Sequence, residues 1–212
     1  MEIKSIEEKL GTKWLAFNSA TYLDKNGKEM KWDFVSRKGN TKVVTVICHS
    51  KTSGKYLLIM QPRVPLNKMV IEFPAGLVDA GESFITAAQR ELKEETGYEG
   101  EVVSESPLVC KSAGLTDEST AVVEMIVDEK AVGKTEMEST EDIQSFWKTP
   151  TEFLQWVKKM DPQKYIVDTC TYFYFTGKAG GNPTNSKKAP SGKAVKASKA
   201  SKKTTKAAQA KK

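Results

Sequence analysis

Four carboxylates and one arginine between residues 82 and 95 have the side-chain types and spacing for chemistry on phosphates. Glu91, Glu94 and Glu95 stand at i, i+3 and i+4, so on a helix their carboxylates crowd together. Like charges so close destabilise a helix unless a cation lies among them. Clustered oxygen ligands without His or Cys suit Mg²⁺, with Mn²⁺ as the alternative, and such a metal can hold a substrate's phosphates. Arg90 can pair with Glu82 or orient one of the carboxylates.

A helix and the loop before it must position these groups. Ser83 can cap a helix N-terminus, the run 84–96 contains no Gly or Pro, and Gly97 stands where a helix end favours a left-handed residue. The loop 76–81 carries two glycines, which let backbone approach a metal closely. At about 100° per residue, one apolar face should pack inward, made of Ile85, Ala88 and Leu92.

The whole stretch, GLVDAGESFITAAQRELKEETGY (76–98), follows the spacing G-x5-E-x7-R-E-apolar-x-E-E-x-G-apolar. These are the fixed positions of the Nudix box, and the chain resembles the Nudix hydrolases. An acidic cluster on a helix is usually a solvated face without a ligand, but the complete pattern favours the metal site. The resemblance implies hydrolysis of a nucleoside diphosphate linked to another moiety. It also implies an α/β fold, the α/β/α sandwich around a mixed sheet.

Within that family, residues 13–175 resemble the ADP-ribose (ADP-sugar) pyrophosphatases. The segment KWLAFNSATYLDKNGKEMKWDFVSR is similar to their N-terminal β-region, and QPR, IEFPAGL and AGLTDES fit later blocks. This closer resemblance implies Mg²⁺-dependent release of AMP and ribose 5-phosphate by a domain-swapped homodimer. The alternatives are a Nudix enzyme for another nucleotide sugar or an oxidised nucleoside diphosphate, and a nucleic-acid-associated protein that acts through its basic tail.

The resemblance also assigns roles to individual positions. Trp14 and Trp32 match two tryptophans that sandwich the adenine from different subunits, and Asp33 stands where a Glu contacts the base. The remaining substrate-binding positions are Arg37 and Arg63, which reach adenine or phosphates, and Leu77, which lines the phosphate and ribose site. The implied metal ligands are the backbone carbonyl of Ala75 and the side chains of Glu91, Glu94 and Glu95.

The catalytic set implied by the resemblance consists of Arg90 and Glu94 together with a base from a late loop. That loop reads Glu141-Asp142-Ile143-Gln144-Ser145. Alignment back from Pro150 places Asp142 at the base position, whereas a shift of one residue places Glu141 there. The chain departs from the family's S-P-G motif, with alanine at the middle position of residues 112–114.

The charge of the chain is divided between two parts. The net charge of +6 arises because residues 178–212 hold eleven lysines and no acid, while the preceding 177 residues hold 22 basic and 27 acidic groups, a net of −5. We therefore predict three regions, which are an N-terminal β-region (1–40), a Nudix domain (41–177) and a disordered tail (178–212). A lysine-rich tail would bind nucleic-acid phosphates in a salt-dependent way.

The apolar pattern predicts the order of the remaining elements. Residues 2–10 suggest a short helical turn or arm, and 13–23 and 28–37 suggest an antiparallel hairpin around Asn26-Gly27. Further strands are expected at 43–49, 56–61, 70–73, 101–103, 107–111, 121–127 and 143–147, and helices at about 151–159 and 164–177. The segment QPRVP should break the chain, and 128–140 should form a flexible loop.

The remaining composition points to a reducing compartment. Three cysteines lie far apart in the chain without a C-x-x-C pair, which predicts buried free thiols. The single His49 is predicted to be structural, and Phe17 and Tyr22 are predicted to cover the core. Without an apolar run of membrane length or a signal peptide, the chain is expected to be soluble and cytoplasmic, or nuclear in a eukaryote because of the basic tail.

Overall fold

The N-terminal region is a three-stranded antiparallel sheet. The computed structural model describes residues 1–39, 42–137 and 142–180, and its first sheet has the order β1 (Glu2–Gly11), β2 (Leu15–Leu23) and β3 (Glu29–Arg37). The predicted hairpin is confirmed, because Asp24 Oδ1 accepts from the amides of Asn26 and Lys28 and Gly27 has a φ of 76°. The predicted helical turn at 2–10 is wrong, because that segment pairs with β2 along its whole length.

A nine-stranded mixed sheet forms the centre of the molecule. The strands are β4 (Lys42–Ser50), β5 (Tyr56–Arg63), β6 (Lys68–Glu72), β7 (Ala75–Leu77), β8 (Glu101–Glu105), β9 (Val109–Cys110), β10 (Ser119–Val127), β11 (Gln144–Lys148) and β12 (Tyr165–Val167). The main path of the sheet runs β12-β6-β5-β4-β10-β8, with β11 paired to β5, β7 to β4 and β9 to β10. The β10/β4 and β12/β6 pairs are parallel and the other pairs are antiparallel.

Helices cover both faces of this sheet, as the predicted sandwich requires. Helix α1 (Phe84–Thr96) packs on one face, and α2 (Pro150–Val157) and α3 (Thr169–Lys178) pack on the other. Alternation along β5 divides the core, since Leu57 faces the α1 side and Leu58 the α2/α3 side. The central aromatic pair on the second face is Phe153 and Phe175, whose ring centroids lie 4.2 Å apart.

The end of β5 and the start of α3 differ from the predicted positions. Strand β5 continues through Pro62 to Arg63, although the prolines there were expected to break the chain. Pairing between β5 and β11 ends at Met60, so no partner on that side needs the missing proline N–H. The helix predicted over 164–177 begins only at 169, because 165–167 pair with β6 as β12.

The cysteines and the histidine lie outside the cleft described below. Cys48 is buried, and burial raises the pKa of its thiol to about 12, but Cys110 and Cys170 are exposed, so the prediction of buried thiols is wrong for these two. His49 lies half-buried with Nε2 3.6 Å from Glu124 Oε1, which agrees with a structural role. In the described ranges, no helix is long and apolar enough to cross a membrane.

A connecting segment, the bridging loop (residues 111–118), attaches the N-terminal sheet to the central sheet. Along β3, Trp32 Nε1 donates to the Gly114 carbonyl at 3.2 Å, and the Val35 amide donates to the Leu115 carbonyl at 2.8 Å. Farther along the same strand, Ser36 Oγ donates to Asp117 Oδ2 at 2.8 Å. The N-terminal sheet is therefore hydrogen-bonded to the loop that leads into the central sheet.

Candidate active site

Helix α1 begins and ends where the sequence predicts. The Ser83 hydroxyl accepts a hydrogen bond from the Thr86 amide at 3.1 Å, and Gly97 ends the helix with a φ of 75°. Ala88 and Leu92 are fully buried against the sheet. Ile85, predicted to share their face, is 37% exposed, because Phe84 packs on the core from the first turn and Ala87 fills the inner face.

The guanidinium of Arg90 joins the box carboxylates. It holds Glu82 through two hydrogen bonds, from Nε at 3.1 Å and from Nη2 at 3.0 Å, as the sequence predicts. Nη1 donates to Glu91 at 2.7 Å and to Glu94 at 3.0 Å, and Nη2 also donates to the Leu77 carbonyl at 2.9 Å. These contacts raise the pKa of Arg90, Glu82 contributing most, and hydrogen bonding from Arg90 lowers the pKa of Glu82. One cation thus fixes both the loop before α1 and two of its glutamates.

The box glycine is needed for close contact between β7 and the helix carboxylates. A Cβ placed on Gly76 would lie 1.9 Å from the carboxyl carbon of Glu91, so only glycine leaves room for that side chain. The neighbouring Ala75 amide donates to Glu95 Oε2 at 3.2 Å. Glu95 is only 3% exposed, so it lies at the contact between strand and helix and not on an exposed helix face.

The donor set fits a hard divalent cation in chemistry, although two of its three carboxylates are turned toward Arg90. Glu91, Glu94, Glu95 and the backbone of Ala75 offer oxygen atoms only, which Mg²⁺ and Mn²⁺ prefer. Within the described ranges, no three His, Cys, Asp or Glu side chains converge as a ready-made metal cluster. Two of the glutamates instead accept hydrogen bonds from Arg90.

An open cleft of about 530 Å³ lies over this face of α1. It brings together most of the positions singled out in the sequence, namely Arg37, Arg63, Ala75, Leu77, Arg90, Glu91 and Glu94. The box glycine Gly76 lies here too, together with residues that the sequence did not indicate, namely Val43, Asp79, Lys111, Glu118 and Glu136. The segment AGLTDES was singled out as a family block without a role for Glu118. Lys111 and Glu136 carry no local signal, because they reach the cleft only through the arrangement of strands.

The cations of the cleft differ in how far they are neutralised. Arg37 Nε forms an ion pair with Glu118, and Arg63 Nε donates to the buried Glu72 at 2.9 Å. Arg90 is held by the three carboxylates described above. Lys111 makes no hydrogen bond or ion pair with any described residue. It is therefore the cleft cation whose charge is available to an incoming anion.

Four sequence-predicted positions lie elsewhere. Trp14 and Trp32 are 69% and 52% exposed on the N-terminal sheet, where Lys13 Nζ lies 4.2 Å from the centre of the Trp14 ring. Asp33 is exposed on β3, and Asp142 is exposed just before β11. None of these four lines the cleft of a single chain. The other base candidate, Glu141, lies outside the described residues.

The two tryptophans are too far apart along the backbone to stack easily on one ring. The Lys38 amide donates to the Trp14 carbonyl at 2.9 Å, so Trp14 lies opposite a position six residues beyond Trp32. At about 3.3 Å per residue, this separates their backbones by about 20 Å, whereas stacked ring centroids lie about 4.5–7 Å apart. The hydrogen bond from Trp32 to Gly114 also holds that indole against the bridging loop.

Comparison with known proteins gives a consistent picture. The NUDIX domain model matches residues 39–187. The chain is 34% identical over 180 residues to an ADP-ribose pyrophosphatase from Saccharomyces cerevisiae, covering 79% of this chain and 78% of the relative. It is 40% identical over 123 residues to an ADP-sugar pyrophosphatase from Mus musculus, covering 55% and 56%. The crystal structure of an ADP compounds hydrolase superposes with a TM-score of 0.63 at 16% identity, over 84% of this chain and 95% of that one, which supports the fold.

Proposed function

This chain belongs to the Nudix family, and we propose that it hydrolyses ADP-ribose or a related ADP-sugar to AMP and a sugar phosphate, with Mg²⁺ as the metal. The observation that carries this proposal is the cleft over α1, where box carboxylates face arginines from β3 and β5. The relatives named ADP-ribose and ADP-sugar pyrophosphatases extend along most or half of the chain and support the choice of substrate.

The charge of the cleft explains why the reaction needs a divalent cation. Its lining carries five carboxylates, those of Asp79, Glu91, Glu94, Glu118 and Glu136, against Arg37, Arg63, Arg90 and Lys111. Five carboxylates against four cations leave the lining at a net charge of −1, so the side chains alone do not neutralise a pyrophosphate. Mg²⁺ held by the Ala75 carbonyl and Glu91, Glu94 and Glu95 would neutralise phosphate oxygens and lower the pKa of a bound water.

The arginines position and stabilise the reacting groups. Arg90 holds Glu91 and Glu94 in place between the loop and the helix. Arg63 is held by Glu72 at the cleft wall, where its guanidinium can stabilise negative charge that develops on a phosphate. Arg37 faces the same space from the end of β3 and can bind phosphate or adenine. Leu77 and Val43 supply apolar wall beside these charges.

The water that attacks phosphorus needs a base, for which Glu141 and Asp142 remain the candidates. Asp142 lies two residues before the first residue of β11 and is exposed, so its carboxylate can turn toward solvent or substrate. Proton abstraction by such a carboxylate would generate the nucleophile, and the sugar phosphate or AMP would leave as the pyrophosphate bond breaks.

Binding of the adenine is proposed to need two chains. Exposed Trp14 and Trp32 offer stacking surfaces, but their separation in one chain favours a pair in which each chain contributes one ring. Asp33, next to Trp32 on β3, would then contact the base. The apolar side chains left exposed on the N-terminal sheet, among them Ile3, Leu10 and Phe17, fit burial in a homodimer.

A substrate panel tests the proposal. ADP-ribose, other ADP-sugars, a non-adenine nucleotide sugar and an oxidised nucleoside diphosphate would be incubated with the protein and Mg²⁺, and the nucleoside monophosphate released would be measured. We expect the highest kcat/KM for an ADP-sugar and no turnover after chelation of the metal. Preference for the oxidised nucleotide or the non-adenine sugar would overturn the substrate assignment.

A second function is supported by sequence composition. The eleven lysines of residues 178–212 form a polycation next to a body with a net charge of −5. We propose that this tail contacts nucleic-acid phosphates without sequence preference.

A further inference from the structure

A segment after β10 contacts the end of helix α1 and contributes to the cleft. We call residues 129–136 the strap. The Gly133 amide donates to the Gly97 carbonyl at 2.7 Å, and the Glu136 amide donates to the Glu94 carbonyl at 2.9 Å. At its other end, Tyr98 Oη donates to the Glu129 carbonyl at 3.2 Å and accepts from Trp147 Nε1 at 3.1 Å. The strap is therefore attached at both ends to the residues that close the box.

One of these amides, that of Glu136, satisfies a carbonyl that α1 cannot satisfy itself, and the amide of Gly133 bonds to the residue that ends the helix. The last four carbonyls of a helix have no partner within it, and Glu94 supplies one of these in α1. The same turn carries the side chains of Glu94 and Glu95. A donor outside the helix thus fixes the backbone from which two proposed metal ligands extend.

Two glycines allow the strap to come this close. A Cβ on Gly97 would lie 2.5 Å from the Gly133 carbonyl oxygen, and a Cβ on Gly133 would lie 3.0 Å from the Gly97 oxygen. Gly97 also needs its left-handed backbone, whereas Gly133 has no such need. The absence of a side chain at Gly133 therefore serves the contact itself.

We infer that the strap positions the metal-binding turn of α1, with the amides of Gly133 and Glu136 as the positioning groups. This inference rests on the proposed function only in naming Glu94 and Glu95 as metal ligands. The Glu136 carboxylate, which lines the cleft and lies 4.0 Å from Lys93 Nζ, is a separate feature of the same residue.

Three variants separate the amide from the side chain. Glu136→Pro removes the N–H and the carboxylate, whereas Glu136→Ala removes only the carboxylate. Lys134→Pro is the matched control, because its amide donates no hydrogen bond to a described residue. Binding of Mn²⁺ to each full-length protein would be measured by the loss of the free-ion EPR signal, and hydrogen exchange would be followed at the amides of residues 93–97.

We expect Glu136→Pro to weaken Mn²⁺ binding between about twofold and about tenfold, the range of one backbone hydrogen bond, and to accelerate exchange in the last turn. Turnover should recover at high Mn²⁺ with an unchanged KM for the substrate. Glu136→Ala and Lys134→Pro should keep normal exchange. Equal exchange in Glu136→Pro and wild type, or equal losses in both proline variants, would overturn the inference.

A milder variant protects the test against misfolding. Gly133→Ala keeps every donor but places its Cβ 3.0 Å from the Gly97 oxygen, so the strap must shift by a few tenths of an ångström. We expect a smaller change in the same direction, and wild-type exchange in this variant together with an unfolded Glu136→Pro would also overturn the inference. If Glu136→Pro exchanges faster than wild type at residues 93–97 but the wild-type protein hydrolyses no ADP-sugar, the proposed function fails while the inference about the strap stands.

Discussion

Helix α1 and the N-terminal sheet differ in which side chains they bury and which they expose. Around α1, the charged groups of Glu82, Arg90 and Glu91 are paired with one another, and the apolar residues are buried. On β1–β3, several large apolar side chains are exposed, including Ile3, Leu10 and Phe17. The charged groups of the first region have partners within it, whereas the second has an apolar surface that the described residues do not cover. Chemical roles can therefore be proposed for single residues of α1. Substrate binding by the N-terminal sheet, in contrast, depends on the molecule that covers its apolar surface.

The largest effect on turnover is expected from a change in helix α1. Glu95→Gln removes a charge proposed to bind the metal but keeps an oxygen that can accept from the Ala75 amide, so the fold should survive. We expect kcat to fall on the order of 10²- to 10³-fold or more, as when charge stabilisation of a transition state is lost. Steady-state kinetics at saturating Mg²⁺ and a urea melt would measure both effects.

Glu99→Gln provides the control for this variant, because Glu99 is exposed beyond the end of α1 and its ion pair with Lys93 at 3.2 Å lies at the surface. Its kcat should stay near that of wild type. Near-normal turnover by Glu95→Gln at saturating Mg²⁺ would refute the assignment of Glu95 as a metal ligand.

The second-largest effect is expected at the two tryptophans, and it tests whether substrate binding by the N-terminal sheet needs a second chain. Trp14→Ala and Trp32→Ala should each raise KM for ADP-ribose about 5- to 100-fold, since stacking on an aromatic ring contributes about 1–3 kcal/mol per base. If each site takes one tryptophan from each chain, a mixture of the two variants should regain hybrid sites with both rings. Phe173→Ala, at an exposed aromatic position on α3, should leave KM unchanged. Unchanged kinetics in both tryptophan variants would remove them from the substrate site.

The same contrast explains how far the sequence could predict the structure. The box helix was predictable from Ser83 to Gly97 because its caps, its apolar face and its charge spacing are local properties. Residues 2–10 were not, because β1 forms only through pairing with β2 and its own sequence lacks a strong strand pattern. Phe17 was predicted to cover the core and is instead exposed, since no element of residues 1–39, 42–137 and 142–180 packs over its side of the sheet.

Within the site, the sequence indicated the residues with motif spacing and missed those brought by topology. Lys111 and Glu118 belong to the bridging loop, which enters the cleft because β9 pairs with the start of β10. Glu136 enters because the strap bonds to α1. No periodicity relates these positions to the box, so only the three-dimensional arrangement identifies them.

A smaller effect is expected at Lys111, the cleft cation that pairs with none of the described residues. Lys111→Ala should raise KM for ADP-ribose about twofold to fivefold, the scale of an exposed charge pair, with kcat nearly constant. The difference from wild type should shrink at high salt, and Lys111→Arg should restore KM. Lys158→Ala, an exposed lysine at the end of α2, serves as the control. A KM that is independent of the residue at 111 would show that the cleft binds the anion without this cation.

The smallest effect on turnover is expected from removing the tail. Because α3 extends through Lys178, truncation after Gly180 leaves the helix intact and removes ten lysines. The cleft residues lie between Arg37 and Glu136, so kcat and KM should stay within error of wild type.

Binding to a fluorescent DNA or RNA duplex should fall sharply in the truncated protein, since the remaining body carries a net negative charge. For the full chain, affinity should drop steeply between low and physiological salt as lysines release condensed counterions. Fluorescence anisotropy over a salt series measures this, with a second protein in which the ten lysines are replaced by glutamine to separate charge from length. Equal binding by the full-length, truncated and glutamine-substituted proteins would exclude a nucleic-acid role for the tail and leave the cleft as the site of function.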